Sequence, residues 1–327
     1  MQTLYRRLLR LMPRLGVHVT DLGPGDAVVS RRGARTRTAL APGADLLTRG
    51  GFAVTGAGKD AWVVTRGKSV GSWRTARLGD SGARLLVDER QGGDERRLQL
   101  AAAEYLCAQH VTAMLDLYGV NCVLDVGANA GQYGRRLRRL GYTGRIVSFE
   151  PTGDAFARLA EAAADDPDWH VHHLGLGRED TVAAIHTGWN TMNSLLPPSD
   201  YGRGRYQRFT RTRTEEIRVR RLDAVLDEAL DGLDAPRTFL KMDTQGYDLE
   251  VFAGAGERVA DLVGLQSEVA VLRLYEGSPR MSEAVSVYED GGFETTGMYP
   301  VTREAATGRV VEFDCVMMRA QAAPQPE

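Results

Sequence analysis

The chain has 327 residues, of which 43% are apolar and 26% charged, with a net charge of −2. At roughly 150 residues per domain this length suggests two domains. The composition excludes an intrinsically disordered chain, and no apolar run approaches the ~18 residues of a membrane-spanning helix. Charge is unevenly placed: residues 1–100 carry 18 Lys and Arg against 9 Asp and Glu, and the remainder carries 23 against 34.

Leu4, Leu8, Leu11 and Leu15 recur at helical spacing with arginines opposite, which predicts a short amphipathic helix over 3–15. Arg6, Arg7, Arg10 and Arg14 interrupt it, so no secretory signal is expected. Three unpatterned cysteines, Cys107, Cys122 and Cys315, fit a reducing cytoplasm without disulfides. Residues 20–95 hold short β-like runs at Ala27–Ser30, Phe52–Thr55, Ala61–Thr65 and Ala83–Val87, separated by glycine turns. Residues 1–95 are therefore expected to form an N-terminal helix and a small β-rich accessory region.

A helix is predicted over 95–118, and from residue 121 strands and helices alternate. Strands are expected at Cys122–Val126, Arg145–Phe149, Trp169–Leu174, Thr238–Met242 and Leu262–Val269, with helices near 131–140, 153–164 and 281–290. This alternation implies an α/β fold with parallel βαβ units and right-handed crossovers. The strands Phe293–Tyr299 and Val310–Met318 flank a Thr307-Gly308 turn and predict an antiparallel hairpin at the sheet's end. The domain is expected over 96–319, with a disordered tail over 320–327. Between the third and fourth strands, residues 186–220 form an insertion with arginines at 203, 205, 208, 211, 213, 218, 220 and 221. A solvated charged loop is the favoured reading, and a lid or anion clamp the alternative. Nucleic-acid binding is not expected, because few aromatics interleave the basic residues.

The first strand of the α/β region runs into Asp125-Val126-Gly127-Ala128-Asn129-Ala130-Gly131-Gln132. Glycines at a strand-to-helix turn allow a ligand close to the backbone, and the helix start offers N–H groups. The middle glycine of a dinucleotide fingerprint is missing. Asp125 would repel a pyrophosphate and favour the ammonium and sulfonium of S-adenosylmethionine. Glu150, at the end of the second strand, lies 19 residues after Gly131, where a carboxylate can accept hydrogen bonds from ribose hydroxyls.

Several blocks together resemble the FkbM-type S-adenosylmethionine-dependent methyltransferases: LDVGANAGQ at 124–132, SFEP at 148–151, LKMDTQGYDLEVFAGA at 240–255, LQSEV at 265–269, LYEGSP at 274–279 and GGFE at 291–294, with DCVMMR closing at 314–319. The resemblance spans about 95–319. It implies a class I (Rossmann-like) methyltransferase fold, a seven-stranded, mostly parallel sheet ending in an antiparallel pair. It also implies O-methylation of a sugar or specialised-metabolite (natural product) hydroxyl, with S-adenosyl-L-homocysteine as product. Carried onto this sequence, it adds Asn129, Gln132 and Pro151 to the cofactor side, and Leu174 and Gly175 on the adenine side.

Methyl transfer to a hydroxyl is an in-line displacement, which calls for alignment and a base. The fourth strand carries Asp243 to the ligand edge and the fifth carries Glu268; these are the candidate base and acceptor-positioning groups. The alternative is that the pair holds Mg²⁺. Gln245, Tyr275 and Trp189 are candidates for holding the substrate. The expected partner is a small hydroxyl-bearing molecule. Competing readings are N- or carboxyl-methylation on the same fold, a nicotinamide-dependent oxidoreductase, and a binding protein without turnover.

Overall fold

The computed structural model describes residues 17–23, 26–31, 52–58, 61–66, 73–78, 83–88 and 94–323. The helix expected over 3–15 and the last four residues of the expected tail lie outside them. The chain divides into two compact units, Met1–Leu98 and Gln99–Glu327.

In the first unit, β1 (Val17–Gly23), β2 (Asp26–Arg31), β3 (Phe52–Gly58) and β4 (Ala61–Arg66) form an antiparallel sheet in the order β1-β2-β4-β3. A separate hairpin joins β5 (Trp73–Leu78) to β6 (Ala83–Asp88). Buried Ala27, Val29, Ala53, Val63 and Val64 supply the apolar side chains of the larger sheet. Four of these strands coincide with the β-like runs. β1 and β5 were not legible, because His18, Thr20, Asp21, Arg74, Thr75 and Arg77 dilute their apolar positions.

α1 (Glu95–Leu117) begins in the last residues of the first unit and continues into the second, which then builds a seven-stranded sheet. Its strands are β7 (Cys122–Val126), β8 (Arg145–Phe149), β9 (Trp169–His172), β13 (Thr238–Met242), β14 (Leu262–Ala270), β15 (Glu294–Arg303) and β16 (Val310–Met318). The order is β15-β16-β14-β13-β7-β8-β9, with β16 antiparallel to both neighbours. This is the class I methyltransferase sheet that the family resemblance implied. The near-continuous burial of β7, β8 and β13 reflects helices on both faces. One face packs α1, α2 (Gln132–Arg139) and α3 (Gly153–Ala163) through Val111, Leu115, Leu137 and Leu159. The other packs α5 (Leu222–Leu230), α6 (Asp248–Gly254) and α7 (Met281–Asp290) through Leu226, Val251, Phe252 and Tyr288.

The insertion is folded rather than a charged loop. β10 (Gly175–Gly177), β11 (Thr181–Thr187) and β12 (Arg213–Arg221) form a three-stranded sheet, and α4 (Asp200–Arg205) lies between its long strands. Ile185, Ile217 and Val219 pack it inward. Its arginines are largely occupied: Arg203 pairs with Asp200 and Glu276, Arg220 with Asp180, and Arg221 with Asp223. At the end of the described chain, Ala320–Ala322 form a turn of 3-10 helix where a disordered tail was expected. Among the described residues, no helix is long and apolar enough to cross a membrane.

β7 leads on to β8 and β9 in one direction, whereas β13 and β14 extend the sheet in the other. The loops after β7 and β13 therefore diverge at the topological switch point, where open α/β sheets bind ligands.

Candidate active site

The chain leaves β7 at Val126 and turns at Gly127, whose φ is 75°. A Cβ here would stand 2.1 Å from the Asp243 carbonyl oxygen, so the crossing of the two switch-point loops requires glycine. The Gly127 and Ala128 N–H groups donate to the Phe149 carbonyl at 3.0 and 3.1 Å, tying this turn to the end of β8. Asn129 follows in a left-handed conformation, φ 48°. Its N–H donates to Glu150 Oε2 at 2.8 Å, while its Oδ1 accepts from the Ala130 N–H and from Gln132 Nε2. Glu150 Oε1 accepts from the Thr152 N–H at 2.9 Å and the Thr152 hydroxyl at 2.6 Å. Burial raises the Glu150 pKa, and these donors oppose the rise. Three hydrogen bonds fix the carboxylate and leave acceptor capacity for a hydroxyl.

These loops enclose a cavity of about 320 Å³. Among the sequence candidates, Gly127, Asn129, Gln132, Glu150, Pro151 and Gly175 line it on one side. Asp243, Gln245 and Glu268 line it as well, and Leu176, Ile185 and Ile217 form an apolar wall.

Five candidates lie elsewhere. Asp125 is fully buried beneath the cavity, with Oδ1 2.9 Å from Lys241 Nζ. Its Oδ2 accepts from Ser148 Oγ, which accepts in turn from Trp169 Nε1. Burial disfavours the Lys241 charge, but Asp125 and Asp243 outweigh it and hold the ammonium protonated. The Asp125 charge is thus met by Lys241, which lines the cavity where Asp125 does not, and this corrects the expectation that Asp125 faces the cofactor's cationic centres. Gly131 sits behind the wall as the left-handed N-cap of α2, close to Leu159 and Trp169. Leu174 packs against the core. Trp189 has no exposed surface; it stacks on His186 and tilts against Phe209 inside the insertion. Tyr275 is 1% exposed, and its hydroxyl lies 2.8 Å from Gln245 Oε1 and 2.9 Å from the Met192 carbonyl, so it orients Gln245 rather than a substrate.

Gln245 and Gly246 both have positive φ, 56° and 89°. A strained non-glycine residue is held by its surroundings, here by Ser194 Oγ donating to the Gln245 carbonyl. Because Tyr275 donates to Oε1, Gln245 Nε2 faces outward and donates to Asp243 Oδ1 at 2.8 Å and Glu268 Oε2 at 2.9 Å. One amide thus joins the two carboxyl groups. The Asp243 side chain is 44% exposed and 3.8 Å from Lys241 Nζ. Glu268 is pushed well above the ordinary carboxylate range by burial, then by Glu312, Asp243 and Asp314. Asp248 is a support that sequence reasoning missed. It accepts from Thr244 and from Ser267 Oγ and the Glu268 N–H, tying the Asp243 loop to β14. Among the described residues, no three His, Cys, Asp or Glu side chains are grouped to hold a metal ion.

Also missed were Asn190, Thr191 and Asn193, which the insertion contributes to the cavity wall, and Tyr133, Lys241, Gln266 and Asp314. None of the insertion's arginines lines it. A left-handed Asn190 (φ 61°) has no local sequence signature, and the sheet register that brings the others here is a tertiary property.

Residues 125–293 match the methyltransferase FkbM domain family. The 2-O-methyltransferase NoeI of Sinorhizobium fredii is 26% identical over 187 residues, covering 54% of this chain and 74% of the relative. The methyltransferase sdnD of Sordaria araneosa is 24% identical over 225 residues, covering 61% of this chain and 81% of the relative. Among solved structures, magnesium protoporphyrin IX methyltransferase (ChlM) from Synechocystis with bound S-adenosylmethionine is 10% identical, with a TM-score of 0.37 over 69% of this chain and 84% of that one. Fibrillarin from Aeropyrum pernix is 12% identical, with a TM-score of 0.37 over 92% of this chain and 97% of that one.

Proposed function

The chain belongs to the FkbM methyltransferase family and is an S-adenosylmethionine-dependent methyltransferase, and from this premise we propose that it methylates a hydroxyl oxygen of a small sugar or specialised-metabolite acceptor, with Asp243 as base. The observation that carries this reading is the Asp243–Gln245–Glu268 arrangement on the cavity wall. A hydroxyl is a poor nucleophile until its proton has somewhere to go, whereas amine and carboxylate acceptors need less help.

S-adenosylmethionine supplies an activated methyl group on a sulfonium. Glu150, fixed by Asn129 and Thr152, suits the ribose hydroxyls, and the Gly127–Gln132 turn allows close approach. Leu176, Ile185 and Ile217 suit the adenine faces. On the acceptor side, Asn190 and Asn193 offer carboxamides that can donate to and accept from hydroxyls, while the amide of Gln245 is taken up in holding Asp243 and Glu268. Asp243 is placed to take the proton of the acceptor hydroxyl, and its half-exposed position lets that proton pass to solvent; the bound cofactor would supply the methyl group, giving up its carbon–sulfur bond and leaving as the neutral thioether. Holding the oxygen in line can supply several kcal/mol. The name of the 2-O-methyltransferase relative supports oxygen as the target atom. Free, buried Cys107, Cys122 and Cys315 fit a cytoplasmic setting.

Calorimetric titration with S-adenosylhomocysteine tests the cofactor half: micromolar binding is expected, weakened at least about tenfold by Glu150→Ala through the lost hydrogen bonds. Asp243→Asn should keep that affinity and lower kcat by about 10²–10⁴, the range for general-base removal. Unchanged turnover in Asp243→Asn would instead indicate a nitrogen or carboxylate acceptor.

A further inference from the structure

Resting on the assignment of S-adenosylmethionine to this cavity, we infer that Arg136 binds the carboxylate at the cofactor's amino-acid end, releasing Glu104 to do so. The cofactor carries a single carboxylate, at the opposite end from its adenine. A helix start beside a glycine turn is the usual place for such an anion, because it offers unpaired N–H groups. The turn after β7 has none to offer. Its Gly127 and Ala128 N–H groups donate to the Phe149 carbonyl, and that of Gly131 donates to the Ala128 carbonyl. The Asn129 N–H is taken by Glu150, and the Ala130 N–H by Asn129 Oδ1. Gln132 Nε2 also donates to Asn129 Oδ1. With every backbone donor from Gly127 to Gly131 bonded inside the protein, the carboxylate needs a side-chain partner.

The cavity supplies one. Gln132 and Arg136 share a face of α2 at i and i+4, with Tyr133 beside them, and all three line the cavity. Asn129, at the foot of that face, is bonded to Glu150, so the cavity continues from the ribose side along one turn of α2, a rise of about 6 Å, to Arg136. Among the described residues, the cations that line it are Lys241 and Arg136. Lys241 is committed: its Nζ lies 2.9 Å from Asp125 and donates to the Gly127 carbonyl at 3.3 Å. Arg136 has one hydrogen-bond partner among the described residues, Glu104 on α1, which its Nη2 reaches at 2.7 Å. A guanidinium has five N–H donors in a fork that matches a carboxylate, so a single bond leaves most of its capacity unused. The Glu104 side chain is 63% exposed and that of Arg136 34%. A pair so open to water is weak and exchanges readily. Glu104 thus holds the guanidinium at the cavity wall, and the ligand's carboxylate takes its place.

The test is calorimetry of the full chain with S-adenosylhomocysteine and with its decarboxylated analogue, in which a plain aminopropyl chain replaces the amino acid. The analogue keeps the adenosine, the sulfur and the amine, and lacks only the carboxylate. The unaltered chain should bind S-adenosylhomocysteine at least about tenfold more tightly than the analogue, as a charge-assisted fork predicts. Arg136→Met keeps much of the stem and should erase that preference by weakening S-adenosylhomocysteine alone. Glu104→Gln removes the competing carboxylate; it should leave the analogue's affinity unchanged and tighten S-adenosylhomocysteine by up to about fivefold. Equal affinity of the two ligands for the unaltered chain, or a preference that survives Arg136→Met, would overturn the carboxylate seat. A loss shared by both ligands in Arg136→Met would overturn it too, and would make the role of Arg136 structural. Weaker S-adenosylhomocysteine binding in Glu104→Gln would overturn the exchange. An unaltered chain that binds neither ligand would overturn the cofactor assignment beneath it.

Discussion

Lys241 is surrounded by groups that a local reading of its sequence does not bring together. Its Nζ lies 2.9 Å from Asp125 and 3.8 Å from Asp243, and its aliphatic stem is buried with Asp125 beneath the cavity. Replacing it with methionine keeps much of the volume and removes the charge, leaving Asp125 buried with Ser148 as its hydrogen-bond donor. Breaking one side of a buried pair typically costs about 3–5 kcal/mol. Lys241→Met should lower the unfolding free energy by that order in urea, and adding Asp125→Leu should recover most of it. Recovery would show that the buried charge, not the lost stem packing, carries the effect. The same pair marks how far single residues are legible. Gly127, Asn129 and Glu150 are readable because a strand end, a turn and a 19-residue spacing are local features. Asp125 was readable as a carboxylate at the turn, but its partner depends on the β7–β13 register, which aligns Asp125 with Lys241. Trp189 misled for a similar reason: an indole can wall a pocket or anchor a loop, and only the positions of His186 and Phe209 separate the two.

At the scale of elements, the strands of the main sheet announce themselves by apolar runs bounded by turns, because helices cover both faces. β12 does not. Only Ile217 and Val219 of Arg213–Arg221 are buried, and outward-facing arginines and glutamates hide that alternation. The insertion consequently read as a charged loop, although its backbone forms a sheet and its side chains complete the cavity. The β14–β16 pair yields a pH prediction. Glu312 is held at about 8, above its ordinary 4.5, so between those values the folded chain keeps a proton that the unfolded chain has released. Proton uptake by the folded state means that this contribution is largest on the acid side of the window and is lost as pH rises through it. The Glu312 share of the unfolding free energy should fall between pH 5 and 8 by up to about 1.4 kcal/mol per pH unit, and Glu268 and Asp314, which burial also raises, add to the fall. Glu312→Gln should make the slope shallower by up to that one-proton share. A slope equally steep in the variant would move its origin to other groups.

For the whole molecule, the division of the chain bears on which part binds and which part selects. Among the described residues, those that line the cavity lie between Glu104 and Asp314, within the second compact unit, and the family match falls there too. The first unit has its own sheet and a net charge near +9, against −11 in the remainder. A chain beginning at Asp94 keeps the side chain that accepts from the Arg96 N–H at the start of α1. It retains all the groups assigned to cofactor and acceptor, so it should bind S-adenosylhomocysteine within about threefold of the full-length affinity, less than 1 kcal/mol. Turnover separates two roles for the missing residues. If kcat and KM for the acceptor also persist, the accessory unit serves something other than the methyl transfer itself. If cofactor affinity persists while the acceptor KM rises, the accessory unit contributes to acceptor choice, as its opposite charge would allow for the recruitment of a larger substrate. Loss of cofactor binding in a folded fragment, checked by circular dichroism, would contradict the assignment of the complete cofactor site to the second unit.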